Sequence, residues 1–227
     1  MFHSNDRRAI LFLGIMIWTS AFAVAQQVEA PSRSRASRSS VESRNRSESL
    51  RKITDHLGMG QGSVIADIGA GNGRDTWTFA DIVGATGKVL AEEIEEKKTK
   101  AITKEASDKD LPQVETVLGN ASNPSLPVNS ADMAFMHHVY HHLTKPRDML
   151  QGIWKALKPG GYLVVVDRRL GTLVDWVPRE VRGKKHYWIA ETTVVREARE
   201  QGFLFVECGE QYWHAKETFV LIFQRPS

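Results

Sequence analysis

Hydrophobic and polar positions follow three regimes along the chain. Residues 9–25 form one apolar run, AILFLGIMIWTSAFAVA. Residues 26–49 hold almost no large apolar side chain. From Leu50 onward, short apolar β-rich runs alternate with stretches of helical period. Leu50, Ile53 and Leu57 fall at helical spacing and predict a short opening helix, ended by Gly58, Gly60 and Gly62. Strands are predicted at Val64–Ile68, Lys88–Ala91, Val114–Leu118, Met133–Met136 and Tyr162–Asp167. Helices are predicted at Thr76–Val83, Lys97–Ser107, Pro146–Leu157 and Thr192–Gln201, with Lys158-Pro159-Gly160-Gly161 as the stop of the third. Leu204–Val206 and Thr218–Phe223 read as two final strands, close enough to pair antiparallel. Strands alternating with helices predict a mostly parallel sheet covered on both faces.

The first regime is an export signal. Arg7 and Arg8 precede the apolar run, which ends in Ala23-Val24-Ala25 before Gln26-Gln27. A charged start, a short apolar segment and an A-x-A site define a secretory signal peptide, cleaved near Ala25. The competing reading is a membrane anchor formed by residues 9–25, which are at the lower limit for spanning a bilayer. The Ser/Arg-rich residues 26–49 cannot bury enough surface to offset the entropy of ordering, so they read as a disordered linker. Residues 50–227 then form the single folded domain.

Charge does not change that picture. The balance of 30 basic against 27 acidic residues gives +3. Residues 1–49 carry seven arginines and four acids, which is the whole excess and leaves 23 of each sign in residues 50–227. A neutral folded part offers no electrostatic footprint for nucleic acid. The one cysteine, Cys208, excludes an internal disulfide and a multi-cysteine zinc site. Nothing in the sequence sets the oligomeric state.

The sharpest motif is Asp67-Ile68-Gly69-Ala70-Gly71-Asn72-Gly73, at the carboxyl end of the first strand and opening onto a helix. Ligands bind at such strand ends in parallel sheets, where glycines let the backbone approach closely and free N–H groups meet polar atoms. A dinucleotide fingerprint needs a third glycine where Arg74 stands. The pattern D-x-G-x-G-x-G suits a ligand with no pyrophosphate. Glu93 then ends the second strand, where a carboxylate can accept both hydroxyls of a ribose.

These residues, with Gly119-Asn120-Ala121 and Leu157-Lys158-Pro159-Gly160-Gly161, make the chain resemble the class I S-adenosylmethionine-dependent methyltransferases over about residues 50–225. It looks closest to the small-molecule branch that includes the quinone-biosynthesis enzymes. The resemblance implies a Rossmann-like, seven-stranded α/β sheet with a reversed last strand. It implies S-adenosylmethionine as cofactor. Gly69, Ala70, Gly71, Asn72 and Gly73 would hold its methionine part, with Asp67 near the amino group. Glu93 and Ile94 would meet the ribose, and Asn120 and Ala121 the adenine.

Four of the eight histidines lie in Met136-His137-His138-Val139-Tyr140-His141-His142-Leu143. Their spacing matches no H-E-x-x-H or Cys/His set, so no metal is assigned. The resemblance implies structural roles for His141 and His142. His137 and His138 fall just past the fourth strand, where the family brings its substrate, and are the candidate catalytic residues. A neutral imidazole there could take a proton from an O–H or N–H; packing or contact with the cofactor is the competing role.

The acceptor is a small molecule on this reading. One cysteine excludes arsenic methylation of the family type, no N-P-P-Y-like run indicates adenine methylation, and Cys208 lacks the Pro-Cys context of cytosine C5 methylation. In residues 168–190 the aromatics Trp176, Tyr187 and Trp188 read as a cover over the substrate, and the cations among them as a solvated loop. A non-catalytic cofactor-binding module and a nicotinamide-dependent oxidoreductase are the readings from other classes. No nucleic acid partner is expected, and a membrane contact only through an uncleaved N-terminus.

Overall fold

The computed structural model describes residues 35–169, 181 and 189–227. The expected signal peptide lies outside these residues, as do Trp176, Tyr187 and Trp188 of the expected cover. The strands are β1 (Val64–Ile68), β2 (Lys88–Glu93), β3 (Val114–Leu118), β4 (Ala131–His137), β5 (Leu157–Arg168), β6 (Leu204–Cys208) and β7 (Thr218–Gln224). The helices are α1 (Arg35–His56), α2 (Arg74–Val83), α3 (Glu96–Asp108), α4 (Pro146–Ala156) and α5 (Glu191–Glu200). The strands form one sheet in the order β3-β2-β1-β4-β5-β7-β6. β1 to β5 run parallel, and β7 inserts antiparallel between β5 and β6. This is the Rossmann-like arrangement with a reversed last strand that the sequence led us to expect.

Strand parity divides the core. Ile65, Met133, Phe135, Val164 and Val166 pack with Leu50 and Ile53 of α1 and Phe79 and Val83 of α2. Ala66, Ile68, Ala134, Met136, Leu163 and Val165 pack with Met149, Leu150 and Ile153 of α4 and Val194 of α5. Successive strand residues point to opposite faces. Asp67 and His137 therefore belong to the α1/α2 side, and Asp167 to the α4/α5 side.

Two boundaries differ from the sequence reading. The segment expected as a disordered linker is helical from Arg35, so the opening helix is not short and the folded part begins before residue 50. Polar contacts replace the missing apolar surface. Ser47 Oγ is 2.9 Å from Thr78 Oγ1 of α2. His214 bridges Ser49 Oγ at 3.0 Å and Glu42 Oε1 at 3.0 Å through its two ring nitrogens. Leu50 and Ile53 then bury completely. The second difference is at Lys158–Gly161, expected only as the stop of the helix before it, which belongs to β5. Gly160 N there donates to Arg225 O, extending the pairing with the chain end.

Candidate active site

The glycine loop leaves β1 with Gly69, Gly71 and Gly73 all in the left-handed region, at φ 68°, 60° and 73°. That succession folds the loop tightly, with Gly73 N donating to Ala70 O at 2.9 Å, before α2 starts. Register places β1 beside β2 and β4, so the loop meets the ends of both. The result is a cavity of about 320 Å³ lined by the loop, Asp67, Arg74 and Asp75, His137 and His138, and Arg46 of α1. The cavity joins Asp67, the loop residues Gly69 to Asn72 and both candidate histidines. Gly73 is buried beneath it, its Cα beside the Trp77 ring.

Two carboxylates at the end of β2 brace the loop. Gly71 N donates to Glu93 Oε2 at 3.0 Å, and Ile94 and Glu95 N–H groups donate to its Oε1 at 2.8 and 3.1 Å. Gly69 N donates to Glu92 Oε2 at 3.0 Å. Glu92, which the sequence reading passed over, is buried, and its Oε1 has no hydrogen-bond partner among the described residues. A Cβ on Gly119, just past β3, would lie 1.8 Å from that oxygen, so any larger residue there would displace the Glu92 carboxyl. Burial above all, with the neighbouring charges of Glu93 and Asp67, pushes the Glu92 carboxyl up to about 8 against the opposing Gly69 bond. Its protonated form is favoured at pH 7.

Asp67 is also buried. Its Oδ2 accepts from Thr76 Oγ1 at 2.6 Å. Burial first, and Asp75 second, push its carboxyl up to about 7. His137 Nδ1 lies 2.7 Å from Asp75 Oδ2, and Arg46 Nη1 lies 3.7 Å from Asp75 Oδ1. His138 takes a left-handed backbone, φ 57°, and its N–H donates to Val166 O. Burial, then the charge of His137, push its imidazole down to about 4. His138 is therefore a weak proton acceptor at neutral pH, and His137 is the better placed of the two.

Glu93, Ile94, Asn120 and Ala121 do not line this cavity. Gly119 N donates to Glu93 O at 3.1 Å, which sets the Gly119-Asn120-Ala121 turn beside the β2 end. Asn120 Oδ1 accepts from Ser122 N at 3.0 Å, and Asn120 and Ala121 are exposed. A second cavity of about 330 Å³ shares Arg46 and Arg74 with the first and runs between α1 and α2 along Ser39, Glu42, Ser43, Ser47 and Trp77. Sequence reasoning missed Arg46 and Asp75. No local motif marks either; they meet only because α1 crosses the start of α2.

This sheet order, with a glycine loop after β1 and an acid ending β2, is the class I methyltransferase fold. Residues 66–165 match the family model described as a methyltransferase domain. The chain is 32% identical over 111 residues to the ubiquinone/menaquinone biosynthesis C-methyltransferase UbiE of Ectopseudomonas mendocina, a match covering 48% of this chain and 43% of the relative. It thus spans less than half the length of the curated relatives it matches. A SAM-dependent methyltransferase from Aquifex aeolicus superposes with TM-score 0.67 at 23% identity, over 80% of this chain and 92% of that one. The 4+2 cyclase SpnF superposes with TM-score 0.64 at 16% identity, over 79% of this chain and 81% of its own. The same fold thus appears in a protein named for a different reaction, and chemistry has to be argued from the site.

Proposed function

We propose that the chain transfers a methyl group from S-adenosylmethionine to a small-molecule acceptor. The observation that carries this is the cavity over Gly69–Asn72, with a buried carboxylate, Asp67, on its floor and His137 in its wall. When bound, the cofactor supplies a methyl group already activated on sulfonium, so the protein's task is to position the acceptor and exclude water. The residues fit that cofactor. The space above Gly71 would be filled by any side chain, and Asp67 suits an ammonium group. Glu93 and Ile94 at the β2 end, with Asn120 and Ala121 after β3, lie outside this cavity and would serve the nucleoside part of the cofactor beyond it. The second cavity sets Arg46 and Arg74 opposite the carboxylate of Glu42, beside Trp77 and three serines, and suits a polar acceptor. The N-terminal residues support export with cleavage near Ala25, membrane anchoring through residues 9–25 being the alternative.

Binding should be linked to protons. An ammonium beside Asp67 favours its ionised form, whereas burial and the charge of Asp75 favour the protonated form in the free site. Cofactor binding near pH 7 is expected to release protons. Affinity should rise with pH between 5 and 7, by up to about tenfold per pH unit, and level off above. Calorimetry in buffers of different ionisation enthalpy reads this directly; equal heats would remove Asp67 from the cofactor site.

The function is tested by incubating metabolite extracts with methyl-labelled S-adenosylmethionine, with and without the protein. Label should appear in a low-molecular-weight product only with the protein. Label confined to unreacted cofactor, despite measurable binding, would favour a non-catalytic cofactor module.

A further inference from the structure

The first turn of α2 contains a carboxylate that does not cap its helix. Asp75 makes no cap bond at the α2 start; its side chain turns inward, 8% exposed, toward the cavity. Oδ2 lies 2.7 Å from Nδ1 of His137, whose side chain is also 8% exposed. Oδ1 is buried, has no hydrogen-bond partner among the described residues, and faces Arg46 Nη1 of α1 at 3.7 Å. The indole of Trp213 stands edge-on to the His137 ring, with centroids 4.8 Å apart at 73°, and the His138 ring lies 4.4 Å away. The imidazole is enclosed on three sides, with the Asp75 carboxylate within hydrogen-bond distance of Nδ1.

We propose that Asp75 is a positioning residue that fixes His137 with its proton on Nδ1 and its lone pair on Nε2, and that Arg46 holds the Asp75 carboxylate in place. A carboxylate only accepts hydrogen bonds, so Nδ1 carries the hydrogen between them. Nε2 is then the basic atom. When the acceptor's O–H or N–H is broken, Nε2 receives the proton and the bonding pair stays on the acceptor atom. The imidazolium so formed has its charge opposite Asp75, and the proton passes on to water. The arrangement gives α1 a chemical role, since the Ser/Arg-rich helix supplies the cation that faces the Asp75 oxygen away from His137. This inference rests on the methyltransferase reading and names the group that serves its proton transfer.

The test is the tautomer of His137, read by two-bond ¹H–¹⁵N correlation on the full labelled chain at alkaline pH, where the ring is neutral. The Nδ1–H form is expected in the wild type, and the Nε2–H form should dominate in Asp75→Leu. With the acceptor in hand, Asp75→Leu should lower kcat at least about 100-fold. Acceptor KM should stay within about threefold, and Asp75→Glu should recover part of kcat. An Nε2–H tautomer in the wild type overturns the proposal, whether or not the variant folds. An unchanged kcat in folded Asp75→Leu overturns it too. Titration of S-adenosylmethionine into the same wild-type sample separates the two claims. Binding with the wrong tautomer sinks only the positioning role, whereas no binding sinks the methyltransferase reading and the proposal together.

Discussion

Gly71→Val is expected to abolish S-adenosylmethionine binding while the protein still folds. Gly71 sits at φ 60°, and a Cβ built there meets nothing closer than Gly69 O at 3.9 Å. The new side chain therefore enters the cavity rather than the core. A β-branched residue in the left-handed region costs about 1–2 kcal/mol, a tolerable loss for a domain of this size. The cofactor loses both the space and the shape of the loop. Affinity should fall at least about 100-fold, worth roughly 2.7 kcal/mol. Titration calorimetry and thermal melting on one sample check both halves. Retained affinity would show that the loop does not hold the cofactor.

The second large effect is on stability. His141 is 4% exposed, and its Nδ1 lies 2.9 Å from both oxygens of Asp167, which is fully buried. Asp167 also accepts from the N–H groups of His141 and Arg168. His141→Ala leaves those backbone bonds but strips the ring from a buried carboxylate. The expected loss is about 3 kcal/mol. His142 is exposed and packs on His141 with ring centroids 3.9 Å apart. His142→Ala should cost under about 1 kcal/mol. Urea unfolding of the two variants measures the contrast. Equal losses would mean that Asp167 draws its stability from the backbone bonds alone.

That contrast marks a limit of the sequence. The resemblance assigned structural roles to His141 and His142 together. Adjacent identical residues carry no signal for which one turns inward; the short turn at Tyr140–His142 decides it by aiming the first at Asp167. The strands and the glycine loop were legible because their signals are local, namely runs of β-branched residues and three spaced glycines behind an acid. Glu92 was not. β2 is buried on both faces, so its sequence lacks the polar-apolar alternation that would show that both adjacent acids are buried, one toward each side of the sheet. The start of α1 was hidden for a different reason. Its docking relies on Ser47, Ser49 and Glu42 meeting Thr78 and His214, residues 31 to 172 positions away. Composition counts such serines as disorder-promoting, and only tertiary structure gives them partners. Arg46 and Asp75 were missed on the same ground.

The most direct measurement is a calorimetric titration of the full chain with S-adenosylmethionine and, separately, with a nicotinamide dinucleotide. The D-x-G-x-G-x-G loop, Arg74 in place of a third glycine, and the buried Asp67 predict saturable one-to-one binding of S-adenosylmethionine and none of the dinucleotide. Tighter binding of the dinucleotide, or no binding of S-adenosylmethionine, would contradict the account.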